Sequence, residues 1–334
     1  MVTGRTQAVV ITGASAGVGR ATAREFAKEG ARIGLLARGR EGLEAAKREV
    51  EELGGEAIAL VCDVSDPDQV EEAADAVEEA FGAIDVWVNN AMVTVFSPVK
   101  ETTPADYKRV TDVTYLGYVH GTLAALKRML PRDRGTIIQV GSALAYRAIP
   151  LQSAYCAAKH AIKGFTESLR TELMHDGSRV HVTAVHLPAV NTPQFTWAKS
   201  RMPYKAQPVP PIFQPEVPAR AIVWASHHRR REIWVGAPVF KAMVGEKVAP
   251  EVADEVLARS GYNGQMLDRP EDPDRENNLY VPLPGDHGAH GPFDDRARDF
   301  SPVLWADTHR AAVALAGAGV LALAALAIGT RRSA

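Results

Sequence analysis

The chain has 334 residues, of which 46% are hydrophobic and 23% charged, with a formal charge of −2. This is enough for one large domain or two small ones, and the near-neutral balance implies no strongly basic nucleic-acid-binding face. Two cysteines, Cys62 and Cys156, exclude a disulfide framework, match no metal-ligand spacing and suit a reducing compartment.

The first residues, MVTGRTQ, carry no long apolar region or cleavage site, so no secretory signal is expected, and they run into a strand at AVVITG. TGASAGVG, residues 12–19, follows that strand and opens a helix to about Glu29. Gly13, Gly17 and Gly19 permit a tight turn and close backbone approach to a pyrophosphate. The helix N-terminus adds free N–H groups and partial positive charge. The spacing is T-G-x-x-x-G-x-G, and no Walker Lys-Ser/Thr follows, so a nucleoside triphosphate is not expected.

RIGLLA, residues 32–37, is the second strand and leads into Arg38, with Arg40 close by. An acidic residue at this tip would hold ribose hydroxyls and select NAD. A guanidinium accommodates a 2′-phosphate, so NADP (NADPH) is expected, and NAD less so.

A helix over 42–53, a strand within 56–64 and a helix over 67–81 come next. They are followed by a strand within 84–91, a helix near 104–130 and a strand within 135–142. The helix holding Tyr155 leads to a strand within 179–188; a last helix within 215–228 and a strand within 231–236 complete the pattern. Val- and Ile-rich runs without strict alternation indicate strands buried on both faces. Strand and helix in alternation predict an α/β fold, a Rossmann-type doubly wound parallel sheet with helices on both faces.

In SAYCAAKHAIKGF, residues 153–165, Tyr155 and Lys159 are four apart and share one helix face. The spacing alone fits a solvated face as well as a phenol tuned by an ammonium. Cys156 beside them reads as a small packing residue.

Together these stretches resemble the short-chain dehydrogenase/reductase family over roughly residues 5–237. TGASAGVG is similar to its cofactor loop and NNAM at 89–92 to its Asn-Asn-Ala-Gly stretch. Ser142 in QVGSA and YCAAK at 155–159 are similar to its Ser and Tyr-x-x-x-Lys elements. The resemblance implies an oxidoreductase interconverting a carbonyl and a secondary alcohol with NADP(H). Tyr155 would be the general acid/base and Ser142 would hydrogen-bond the substrate oxygen. Lys159 would lower the phenol's pKa and hold the nicotinamide ribose. Cofactor contacts are implied for Gly13, Ser15, Gly17, Val18, Gly19, Arg38, Asp63, Val64, Asn89, Tyr155, Lys159, Pro188 and Thr192. Three positions depart from the pattern: Met92 follows NNA, Ala189 follows Pro188, and Thr114 in DVTYLGYVHGT stands where a catalytic Asn is usual. Thr114 can bond a water in a proton relay but lacks a carboxamide, so reduced or retuned activity is expected. A membrane-tethered NADP-binding scaffold or redox sensor with little turnover is the alternative reading. The family commonly forms dimers or tetramers, which implies a homo-oligomer.

Residues 190–218 form a Pro-rich lid. Phe195, Trp197, Met202, Tyr204 and Phe213 suggest a sizeable apolar pocket or packing of the lid itself. HHRRR at 227–231 reads as a solvated helix end. The catalytic domain is expected to cover residues 1–250, and a Pro-, Gly- and Asp-rich extension residues 251–308. Ala311–Gly329 has no charged or polar side chain, and nineteen helical residues span about 28 Å. A C-terminal membrane anchor over 309–334 is therefore expected, with the domain on the cytoplasmic face; a soluble cytoplasmic protein is the alternative. Lid and tail together favour a lipophilic substrate.

Overall fold

The computed structural model describes residues 6–315. Its centre is a parallel seven-stranded sheet. The strands are β1 (Ala8–Thr12), β2 (Arg32–Ala37), β3 (Glu56–Val61), β4 (Val86–Asn89), β5 (Thr136–Ser142), β6 (His181–Leu187) and β7 (Glu232–Trp234). They lie in the order β7-β6-β5-β4-β1-β2-β3. The chain winds outward from β1 through β2 and β3, then returns to build the other half from β4. Direction therefore reverses between β1 and β4, which opens a crevice at the strand C-termini.

Alternation along β1 shows why the strands read as continuous apolar runs. Val9 and Ile11 enter the core on one sheet face, while Ala8 and Val10 enter the core on the other. The covering helices are α1 (Gly17–Ala27), α2 (Arg40–Glu52), α3 (Pro67–Phe81), α4 (Pro104–Thr111), α5 (Gly117–Met129), α6 (Ser153–His175) and α7 (Glu216–His227). Local chemistry sets their starts. Asp66 caps α3 by accepting from the Asp68 and Gln69 N–H groups, and Thr103 caps α4 through the Asp106 N–H; Pro67 and Pro104 follow at the first helical position.

The single helix expected near 104–130 is α4 and α5 joined by a π-turn at Asp112–Leu116. Such turns relieve the regular ladder and frequently mark functional sites. Beyond it, Gly117 faces Val64 and Gly121 faces Trp87 and Asn89, each too close for a Cβ, so α5 presses onto the sheet.

The region after residue 237 is more ordered than its composition suggests. It begins with α8 (Ala237–Val248) and α9 (Pro250–Ser260). Met266–Pro270 then pairs antiparallel with Tyr204–Ala206 of the lid, and Ala297–Arg298 pairs with Ile212–Phe213. Between these pairings the chain crosses the open end of the sheet, and Leu279 is fully buried there. A Pro-, Gly- and Asp-rich segment makes few bonds to itself; here its backbone groups bond to the domain beneath. A further helix, α10 (Pro302–Thr308), packs against β7. Most of the expected anchor, 309–334, lies outside the described residues. Among those described, no helix is long and apolar enough to cross a membrane.

Candidate active site

A cavity of about 500 Å³ lies along the C-terminal ends of the strands, with the cofactor-loop glycines at one part and Ser142, Tyr155 and Lys159 at another. Gly13 and Gly17 both take left-handed backbone, φ +68° and +57°, which is costly for any residue with a Cβ. They turn β1 sharply into α1, leaving Ser15, Gly17 and Val18 on the cavity wall. Gly19 does not line the cavity. A Cβ there would collide with the Gly13 carbonyl oxygen, so this glycine lets α1 pack against its own loop.

The loop is tied to the tip of β4. The Thr12 hydroxyl accepts from the Asn90 and Ala91 N–H groups at 2.9 and 3.0 Å, and the Asn90 amide donates to the Thr12 carbonyl at 2.9 Å. Asn90 faces the cavity, whereas Asn89, expected at the adenosine half, does not. Successive strand residues point to opposite sides, and Asn89 points under α5. Its amide donates to Gln139 Oε1 at 3.0 Å and Thr122 Oγ1 at 3.1 Å, and its oxygen accepts from the Trp87 indole at 2.9 Å. Asn89 is thus a buried structural link, which corrects its expected cofactor contact.

Asp63 and Val64 line the cavity beyond β3. Asp63 accepts from Arg109 Nη2 at 2.6 Å and from the Ser65 hydroxyl at 2.7 Å. Burial alone would raise the Asp63 pKa, but these bonds hold it below the ordinary carboxylate value. Arg38, also on the wall, donates to the carbonyl oxygens of Asn278, Tyr280 and Leu279 at 2.5, 2.9 and 3.4 Å. Burial and the neighbouring Arg109 lower its pKa from the ordinary value.

At the other end, Ser142 closes β5 and its hydroxyl accepts from the Leu144 N–H at 3.1 Å. Tyr155, on the first turns of α6, is half-buried and faces the cavity. Lys159, one turn on, is buried, and its Nζ lies 5.5 Å from the Tyr155 ring centroid. That Nζ donates to the Val140 carbonyl at 2.8 Å and the Tyr118 hydroxyl at 3.0 Å. The sequence analysis missed Tyr118. It lies four residues after Thr114 on the resembling helix segment, but nothing local distinguishes it from a packing aromatic.

Burial, the larger effect, raises the Tyr155 phenol above its ordinary value, while the Ser142 hydroxyl works the other way. Burial dominates this balance, and no lowering from Lys159 enters it. Burial also pushes the Lys159 ammonium down to about 7, so it offers less positive charge than a solvated lysine.

Thr114 does not reach the cavity. Its hydroxyl donates to the Val93 carbonyl at 2.8 Å and accepts from the Val93 N–H at 3.1 Å. The side chain expected to bond a relay water is committed to the backbone, which corrects that role to a positioning one. Pro188 and Thr192 line the cavity, as do Phe195 and Trp197 from the lid. The other three aromatic or apolar lid residues do not. Phe213 enters the sheet core, Met202 packs within the lid cluster and Tyr204 is exposed.

The sequence matches the short chain dehydrogenase family over residues 7–202. The chain belongs to that family. This short-chain dehydrogenase is 36% identical over 280 residues to the uncharacterized oxidoreductase YxnA of Bacillus subtilis, covering 82% of this chain and 78% of that protein. It is 29% identical over 256 residues to a fatty acyl-CoA reductase of Acinetobacter baylyi, covering 76% and 83% of the two chains. A levodione reductase of Leifsonia aquatica is 37% identical over 179 residues, covering 53% and 67%. The short-chain dehydrogenase is accordingly an oxidoreductase of the alcohol–carbonyl type, acting on a small molecule with a nicotinamide dinucleotide. Its cleft suits such a cofactor in the chemistry of its donors: a glycine turn at a helix N-terminus, a carboxylate and a guanidinium at one end, and a phenol, a hydroxyl and an amine at the other.

Proposed function

We propose that this short-chain dehydrogenase uses NADP(H) to interconvert a lipophilic carbonyl compound and its secondary alcohol, with Tyr155 as general acid/base. The observation that carries this reading is the convergence of Ser142, Tyr155 and Lys159 on the cavity that also holds Gly13, Gly17 and Arg38.

Ser142 would orient the substrate oxygen and stabilise negative charge developing on it. In reduction, Tyr155 donates its phenolic proton to that oxygen; in oxidation, its phenolate accepts the alcohol proton. When bound, the nicotinamide ring supplies or accepts the hydride. Lys159 holds the region beneath the phenol and offers a remaining N–H to a ribose hydroxyl. Its titration near neutral pH suits it to pass a proton to or from Tyr155. Arg38 would take the 2′-phosphate, and Asp63 and Val64 would meet the adenosine half.

Phe195, Trp197, Val209, Pro238, Ala242 and Leu257 give the cavity an apolar part. This supports a lipophilic substrate, as does the similarity to a protein named fatty acyl-CoA reductase. Membrane attachment through 309–334 belongs to the same reading, because it would hold the cavity near a lipid-borne substrate.

The test is NADPH oxidation with long-chain, sterol-like and small polar carbonyl compounds. Tyr155→Phe is expected to lower kcat by about 10²- to 10⁴-fold while NADPH affinity is kept. An active Tyr155→Phe variant would overturn the acid assignment. Turnover of small polar ketones alone would overturn the substrate class. NADPH binding without turnover of any compound would favour the scaffold alternative.

A further inference from the structure

The segment 276–291, called the strap below, crosses the mouth of the dinucleotide cleft. Its backbone oxygens take donors that a phosphate-bearing ligand needs. At the adenosine end, the carbonyls of Asn278, Leu279 and Tyr280 surround the Arg38 guanidinium. At the loop end, the Gly17 N–H at the start of α1 donates to the Gly288 carbonyl at 3.1 Å.

Side chains hold the strap in this position. Leu279 is fully buried in the core under the cleft. The Tyr280 hydroxyl donates to Asp106 at 2.9 Å, and Arg20 pairs with Asp286 at 2.6 Å. Asp106 also takes Lys199 and Arg201 of the lid, so strap and lid share one buried carboxylate. None of Leu279, Tyr280 and Asp286 lines the cavity, whereas the flanking Asn278, Pro282 and Leu283 do.

Arg38 has five N–H donors. Two strap carbonyls occupy Nη1 and one occupies Nη2. A 2′-phosphate approaching the same fork would find neutral oxygens where it makes its own bidentate bonds, and its charge would be repelled by those carbonyl dipoles. A 2′-hydroxyl needs no such pair of donors. We propose that the Asn278–Tyr280 backbone competes internally with the 2′-phosphate of NADP(H) for Arg38, so that strap position sets the affinity for NADP(H) relative to NAD(H). This rests on the reading of Arg38 as the 2′-phosphate group. A phosphate makes stronger charge-assisted bonds than a carbonyl, so NADP(H) displaces the strap locally, whereas NAD(H) binds beneath it.

The experiment titrates NADPH and NADH by fluorescence against wild type, a Tyr280→Phe/Asp286→Asn double variant and Leu279→Ser. Circular dichroism establishes that each variant is folded. Loosening the strap is expected to tighten NADPH binding about tenfold, the equivalent of one charge-assisted hydrogen bond, with NADH changed less than about twofold. Tryptic cleavage after Arg275 should be faster with NADP⁺ than with NAD⁺. Unchanged or weaker NADPH binding in folded variants would overturn the competition, as would equal tightening for both dinucleotides, which is the mark of a steric cover. Arg38→Ala separates the two readings. If NADPH affinity is indifferent to Arg38, the 2′-phosphate assignment fails. If NADPH needs Arg38 but ignores the strap variants, only the competition fails.

Discussion

Thr114 holds Val93 by both of its backbone groups, donating to the carbonyl at 2.8 Å and accepting from the N–H at 3.1 Å. One short side chain thereby fastens the π-turn after α4 to the loop after β4, where Ala91, Met92 and Val93 line the cavity. Thr114→Val keeps the shape and removes both bonds, leaving a buried N–H and carbonyl without partners. The expected cost is about 1–3 kcal/mol per group, read as a lower Tm, with weakened dinucleotide binding. Thr114→Ser should restore most of both. A Thr114→Val enzyme with wild-type Tm and a lost proton-transfer step would return Thr114 to the relay.

Gly19→Ala tests the packing of α1 on its loop. The new Cβ meets the Gly13 carbonyl oxygen and also the Asn90 amide, both parts of the wall. Overpacking of this kind costs about 1–3 kcal/mol, and here the displaced atoms belong to the cofactor loop. NADPH affinity is expected to fall more steeply than Tm. Equal affinity in wild type and variant would show that the loop yields freely.

Lys159 gives a pH dependence of stability. Burial lowers its pKa to about 7 from an ordinary 10.5. Between those values the unfolded chain holds a proton that the folded chain has released, so stability rises with pH. Below about pH 7 both states hold the proton and the penalty for burying the ammonium is complete. Lys159→Met lacks this titration. In urea unfolding, wild type is expected to gain stability relative to the variant between pH about 7 and about 10, while lost bonds to Val140 and Tyr118 add a pH-independent offset. A difference that stays flat across this range would contradict the buried titration.

His290 acts in the opposite sense. Its Nδ1 meets Asp294 at 2.7 Å and its Nε2 meets Glu216 at 2.9 Å, a pairing in which both ring nitrogens donate only when the ring is charged. Burial lowers its pKa, but the two carboxylates outweigh it and raise the value above 6.5. The stability it contributes is complete below that unfolded value and is lost as pH rises through the raised folded value. Asp294 also accepts from Asn191 and Gln214, so this contact fastens the end of the strap and the residues just after it to the lid. Proteolysis of residues 286–296 should accelerate as pH rises from below 6.5 through the raised folded value in wild type and be pH-independent in His290→Gln. Equal acceleration in both would assign the effect elsewhere.

The sheet was legible because each of its strands is a short buried run with turn residues at its ends, as AVVITG shows. The cofactor turn and the pairing of Tyr155 with Lys159 were legible for the same reason: chain-local spacing fixes which groups sit together. Legibility stopped where three-dimensional direction decides. Asn89 and Asn90 are neighbours of identical chemistry, yet the pleat sends one beneath α5 and the other to the cavity. Thr114 lies in the π-turn with its hydroxyl on the Val93 backbone, and no residue in DVTYL announces such a turn. The expected acidification of the Tyr155 phenol by an adjacent ammonium depends on solvation, which residue spacing does not carry: Lys159 is buried, Tyr155 is partly so, and desolvation is the largest effect on each. The strap was beyond reach, since Pro, Gly and Asp predict irregular backbone without saying what it covers.

Arg38 and the residues that cap it are 240 positions apart. A ribosome adding about 5–20 residues per second needs more than ten seconds to cross that interval. The last strand of the sheet ends at Trp234, 44 residues before Asn278, so for about 2–9 s of that synthesis the strands are complete and the residues that cap Arg38 are not yet made. The guanidinium and its crevice are thus the older part of this site in the order of synthesis, and the carbonyls that cap Arg38 are the later addition.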